Sequence, residues 1–139
     1  MTYKLSFEDN PRHEDVQILG DGIMTNAKKM KGFNPLQFFA FFIRDEKNEI
    51  VGGCNGTNLY GCVYVDQLWI KEDLREQGWG KKLMAKAEEF AKQKNCTFMT
   101  VNTMDWEALD FYKKLGFEVE FERKGFEKNS VFYFLRKDL

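Results

Sequence analysis

The stretch Asp66-Gln67-Leu68-Trp69-Ile70-Lys71-Glu72-Asp73-Leu74-Arg75-Glu76-Gln77-Gly78-Trp79-Gly80-Lys81-Lys82 decides the fold. Its first third is apolar and β-prone, its middle is charged and turn-like, and its end is a glycine pair that opens a helical pattern. A strand that runs through a glycine-rich turn into a helix is a common way to hold a phosphate. The first N–H groups of a helix have no acceptor within it and point beyond its end. Gly78 and Gly80 offer a ligand backbone with no Cβ in the way, and Trp79 between them contributes its N–H. The loop is not a Walker A, which needs G-x-x-x-x-G-K-[ST]. It is not the dinucleotide fingerprint either, for want of a third glycine at the required spacing. An ordinary strand-loop-helix joint fits the same residues.

Downstream of the loop, Gly80 to Lys94 is the strongest helical pattern. Leu83, Ala87, Phe90 and Ala91 recur on one face, and Lys81, Lys82, Lys86, Glu88, Glu89 and Lys92 face water. Thr97 to Asn102 is a β-prone run. Strand, crossover helix and strand predict a parallel, right-handed pair. Asp105 is placed to N-cap a helix ending at Leu115, with Gly116 at C′. Phe117 to Glu122 alternates as a strand with one wet face, and Ser130 to Leu135 returns as a last strand.

Upstream, Leu36 to Arg44 is nearly continuous apolar, as in a strand covered on both faces. Asp45 to Asn48 is a hairpin turn, Glu49 to Asn55 the returning strand weakened by Gly52 and Gly53, Thr57 to Gly61 a loop, and Cys62 to Ile70 the next strand. These three strands form an antiparallel meander. Tyr3 to Phe7 is a short first strand. Val16 to Met30 is a helix that Gly20 and Gly22 break, stopped by Gly32-Phe33-Asn34-Pro35.

The 139 residues suit one domain, 1–139. A hydrophobic fraction of 43% with 14 Phe allows an aromatic core. A net charge of -1 gives no electrostatic case for nucleic acid or an anionic membrane, and no apolar run is long enough to span a bilayer. The 3 cysteines, Cys54, Cys62 and Cys96, have no metal-ligand spacing, and the 1 histidine, His13, sits in a polar N-terminal segment. No metal site or Ser-His triad is expected. Reduced thiols and a cytoplasmic location, as a monomer or homodimer, are.

A second constellation lies at Ala108-Leu109-Asp110-Phe111-Tyr112-Lys113-Lys114-Leu115-Gly116-Phe117. Alone it reads as an amphipathic helix with Leu109, Phe111, Tyr112 and Leu115 in the core. Yet Arg75-Glu76-Gln77-Gly78-Trp79-Gly80 matches the R/Q-x-x-G-x-G/A acyl-CoA loop of the GNAT acetyltransferase superfamily. A-x-x-F-Y-x-x-x-G-F downstream matches that superfamily's tyrosine signature. The chain therefore resembles a GNAT N-acetyltransferase, most specifically over Asp66–Phe117.

The resemblance implies an α/β fold with a mixed, mostly antiparallel sheet, a parallel strand pair that splays open, and flanking helices. It implies acetyl-CoA as donor and direct transfer to a primary amine, a small-molecule amine ahead of a protein one. The alternative is an acyl-CoA sensor without turnover. The cofactor contacts it implies are Leu68, Trp69 and Ile70 on the strand, Arg75, Glu76, Gln77, Gly78, Trp79, Gly80 and Lys81 in the loop, and Asn102, Phe111 and Tyr112 beyond. Backbone groups of Leu68 and Ile70 would pair with pantetheine as a peptide adds to a sheet edge. Tyr112 is the implied general acid. Asp66 is the carboxylate on the strand before the loop, and is either the base or a charge that orients the substrate ammonium. Alternation puts Asp66 on one face with Tyr64 and Leu68. Cys62 and Cys96 read better as small buried hydrophobes than as covalent acetyl carriers. The acceptor is not legible, although Phe33, Phe38, Tyr60 and Trp106 are candidates for an aromatic pocket.

Overall fold

A computed structural model describes residues 1–139 as two compact units, Met1–Pro35 and Leu36–Leu139. In the first unit, residues 1–8 have no regular structure, so the strand expected at Tyr3–Phe7 is absent. Helix α1, His13–Lys31, is continuous through Gly20 and Gly22, and His13 opens it rather than lying in a loop. The cost of an interior glycine, about 1 kcal/mol, is too small to break a helix of this length. Its ends obey the helix dipole: Glu14 and Asp15 lie in the first turn and Lys28, Lys29 and Lys31 in the last. Gly32, at φ 71, takes the left-handed cap and returns its N–H to the Lys28 carbonyl. None of the helix is buried.

The second unit carries the sheet. Its elements are β1 (Gln37–Arg44), β2 (Ile50–Leu59), β3 (Cys62–Ile70), α2 (Trp79–Gln93), β4 (Phe98–Met104), α3 (Leu109–Lys114), β5 (Glu118–Arg123) and β6 (Phe132–Asp138). Six strands lie in the order β1-β2-β3-β4-β6-β5. All pairs are antiparallel except β3 with β4, the pair that α2 connects. This is the mixed, mostly antiparallel sheet that the motifs implied.

Burial follows strand alternation. Val63 and Val65 on β3, Met99, Val101 and Thr103 on β4 and Leu135 on β6 are almost wholly enclosed. The apolar ones among them meet Leu83, Met84, Ala87 and Ala91 of α2 and Tyr112 of α3 in one cluster. Ala87 and Ala91 have no exposed surface, which lets the helix lie close on the sheet. Asp45 closes the β1–β2 turn, its carboxylate accepting from the N–H groups of Lys47 and Glu49.

Several local expectations change. Strand β1 is covered on one face only: Phe39 packs on Phe90 with ring centroids 4.6 Å apart, while Phe38 and Phe42 are exposed. Strand β2 runs to Leu59, so the expected loop shrinks to a turn at Tyr60–Gly61. Strand β5, at one edge of the sheet, is exposed along its whole length, so neither of its faces is covered. Helix α3 begins at Leu109 rather than beside Asp105. The Asp105 carboxylate accepts instead from the N–H of Val131, and Thr103 Oγ1 accepts from the N–H of Ala108. A short polar side chain that can reach a neighbouring strand is free to leave the cap.

Candidate active site

The parallel ladder between β3 and β4 runs from Cys62↔Phe98 to Val65↔Val101 and stops there. Asp66 and Asn102 are the first residues beyond it. From Asp66 to Ile70 the edge of β3 that faced β4 has no strand beside it, and this split between the two strands is the candidate cleft.

The opening coincides with a β-bulge. Across β2, Gly56 pairs with Val65 and Asn55 with Gln67, so Asp66 is an extra residue with no partner. Gly56 is required there, since a Cβ would run into the Tyr64 carbonyl. Gln67 donates its N–H to Asn55 Oδ1 at 3.1 Å, which satisfies a group the bulge takes out of the ladder. The extra residue also breaks the alternation. Leu68 pairs with Cys54 and Tyr64 with Thr57, residues on opposite faces of β2. Leu68 therefore packs on the core beside α2, and the single face expected for Tyr64, Asp66 and Leu68 does not exist. The Tyr64 hydroxyl donates to Asp66 Oδ1 at 3.3 Å and accepts from Asn102 Nδ2 at 3.3 Å.

Beyond Ile70 the chain makes a 3₁₀ turn at Glu72–Leu74 and enters α2 through Gly78, in the left-handed region at φ 84. No side chain caps α2. The ladder inside the helix starts with Lys82 donating to the Gly78 carbonyl. The N–H groups of Trp79, Gly80 and Lys81 thus precede the first helical bond, at the positive end of a 15-residue helix. Nothing lies within 4 Å of where a Gly78 Cβ would be.

Gly80 has a different reason to be glycine than ligand approach. Its Cβ would lie 3.2 Å from the Phe111 ring and 3.5 Å from Ile70 Cδ1. The end of β3, the start of α2 and the Phe-Tyr motif of α3 therefore meet at one point. Arg75 turns partly inward, its Nε donating to the Ile70 carbonyl at 2.9 Å. Gln77 Nε2 donates to the Asp73 carbonyl, and Lys82 lies 4.6 Å over the Trp79 ring.

Tyr112 is buried, edge-on to Phe111 and Phe117 at 5.2 and 5.8 Å. Burial pushes its phenol up to about 12, and the nearby Cys54, Glu107 and Tyr64 act in the same direction. The phenol stays protonated at any physiological pH and is a donor. Burial raises all three thiols, Cys54 to about 11. Cys96 Sγ donates to Asn58 Oδ1, and Cys62 Sγ sits 3.8 Å from Thr100 Oγ1. None is an activated nucleophile.

The expected site residues gather on β3, the loop, the start of α2, the end of β4 and α3. The expected aromatic pocket does not. Phe38 lines a groove of about 570 Å³ with Phe42 and Trp69, whereas Trp106 lies with Met104 and Phe126, and Tyr60 sits in the β2–β3 turn. Sequence reasoning missed the parts played by Asn55, Gly56 and Tyr64. A bulge depends on strand pairing, and no pattern within β3 alone announces it.

The family model described as the acetyltransferase (GNAT) family matches residues 7–117. The chain belongs to the GNAT acetyltransferase family. Among its relatives is acetyltransferase Atu2258 of Agrobacterium fabrum, 39% identical over 75 residues, covering 54% of this chain and 55% of that protein. Blasticidin-S acetyltransferase of Streptomyces morookaense is 33% identical over 86 residues, covering 61% and 63%. The match thus spans about three fifths of these relatives' length. A crystal structure from Agrobacterium tumefaciens, provisionally described as an acetyltransferase, superposes over 100% of both chains with a TM-score of 0.86 and 27% identity.

Proposed function

We propose that this chain is an N-acetyltransferase that moves the acetyl group of acetyl-CoA directly to a primary amine, a small molecule ahead of a protein. One observation carries the reading: Ile70, Gly80 and Phe111 touch, so the open edge of β3, the uncapped start of α2 and the Tyr112 helix converge. Family membership adds the donor, and two relatives are named for small amines, blasticidin S and thialysine.

In this reading the N–H groups of Gln77 to Lys81 hold the pyrophosphate, with Arg75 and Lys81 adding charge. Glu76 and Trp79 shape that turn, and Phe111 packs beneath it. Leu68, Trp69 and Ile70 line pantetheine through the free edge of β3, and Asn102 faces it from β4. An alkylammonium must lose a proton before it attacks, at a cost of about 4.6 kcal/mol near neutral pH. Asp66, or water that it orders, takes that proton. The amine nitrogen bonds to the thioester carbonyl carbon and the C–S bond breaks; Tyr112 gives its proton to the departing thiolate and is reprotonated, through water, by the second proton that the nitrogen sheds on becoming an amide. Three buried thiols with no partner cysteine favour a reducing compartment such as the cytoplasm.

Calorimetry with acetyl-CoA, followed by a thiol-release screen over lysine, thialysine, blasticidin S and a diaminoalkane, tests the reading. Micromolar binding and CoA release with an amine are expected. No binding at millimolar acetyl-CoA would end it, and tight binding without release would mark a sensor.

A further inference from the structure

We infer that Tyr64 is a positioning residue of this site, fixing the Asp66 carboxylate and the Asn102 amide across the mouth of the cleft. The inference rests on the N-acetyltransferase reading above. Tyr64 stands one rung before the β3–β4 ladder ends, paired with Thr57 on β2 and Thr100 on β4. Its side chain bridges the first residue past the ladder on each strand.

The direction of each bond is fixed by chemistry. An ionised carboxylate can only accept, and a phenol has one proton, so that proton points at Asp66. The phenol oxygen is then an acceptor, and Asn102 must offer it N–H. This sets the amide orientation and leaves Asn102 Oδ1 to accept from a ligand. Asp66 keeps its second oxygen for the same purpose. Both a pantetheine amide and an alkylammonium are N–H donors, so the cluster presents acceptors where donors must bind. Burial and the Asp66 charge both raise the phenol's pKa, which keeps the bridging proton in place.

Asp66 is exposed and sits on a bulge with no partner across the sheet. Without the phenol its carboxylate would sample several rotamers, and the acceptor would bear the cost of ordering it. Tyr64→Phe removes the bridge while keeping the ring on the sheet. The proposed test is a cycle of Tyr64→Phe, Asp66→Asn and the double variant. It uses steady-state kinetics with acetyl-CoA and the amine turned over fastest among lysine, thialysine, blasticidin S and a diaminoalkane. Thermal unfolding is recorded in parallel.

Tyr64→Phe should raise the amine KM at least about tenfold, the usual scale for losing a bond to a charged group. The acetyl-CoA KM should rise less, by no more than about fivefold, through the loosened Asn102 amide, and kcat should hold within about threefold. In amine KM the double variant should be no worse than Asp66→Asn alone, because both variants reach the amine through the Asp66 carboxylate. An unchanged amine KM, or losses that simply add, would overturn the inference. So would Tyr64→Phe failing to fold at assay temperature, which would make Tyr64 a structural residue. A wild type that turns over while the cycle is flat overturns this inference alone. A wild type that releases CoA with no amine overturns the proposed function and this inference with it.

Discussion

At the scale of single residues the proposed chemistry turns on protonation. Tyr112 is a phenol kept neutral by burial, beside aromatic rings that fix its plane. Tyr112→Phe keeps those ring contacts and removes one donor. Turnover should fall by about 10²–10⁴, the usual worth of general acid catalysis, with acetyl-CoA affinity nearly unchanged. The loss should appear in kcat, since the hydrogen bond strengthens as the thiolate forms. Steady-state kinetics at saturating amine checks it, and a change within about twofold would make the hydroxyl a spectator. The motif around Tyr112 was plain in the sequence because a local signature survives in one segment. The partners of Tyr64 were not, because Asn102 lies 38 positions away and only the parallel pairing brings it close.

At the scale of elements, legibility followed how local each cause is. Strand β3 and helix α2 fall within a residue of where periodicity put them, since their apolar patterns and the glycine turn are self-contained. Edges and caps did not. Whether a strand has one covered face or none depends on its neighbours, as β1 and β5 demonstrate. Asp105 chose a distant strand over its own helix. The loop into α2 invites a direct test. Gly78 sits at φ 84, a region a β-branched residue rarely adopts, with open space around it. Gly78→Val should weaken acetyl-CoA binding at least about tenfold, because restoring ordinary dihedrals re-aims the N–H groups of the first turn. The strain should cost about 1–2 kcal/mol of stability. Calorimetry and thermal unfolding read the two effects separately. Unchanged affinity in the folded variant would place the pyrophosphate elsewhere.

At the scale of the molecule, the motifs specified the fold class correctly, a mixed sheet with one parallel pair, although six strands stand where seven were expected. The core that closes it also makes the fold sensitive to alkali. Cys54 and Tyr112 both hold their protons more tightly when folded, at about 11 against 9.0 and about 12 against 10.0. The stability each contributes is therefore whole below pH 9 and 10 respectively, and is lost as pH rises through the folded values. Denaturant midpoints should be flat from pH 7 to 9 and decline from pH 9 to 12. The Tyr112 share is on the order of 2 kcal/mol. Cys54→Ala should lessen the earlier part of that decline, to which Cys62 and Cys96 also contribute, and a flat profile up to pH 12 would contradict the burial of both groups.

The bulge at Asp66 carries a different consequence, for heritable change. The extra residue has no partner across the ladder and is exposed, so its side chain is uncoupled from the packing that Val65 and Leu68 must preserve. Drift or selection can sample new side chains at position 66 without repacking the interior. The cleft is thus tied to a position in β3 where chemistry can vary while the scaffold stays constant.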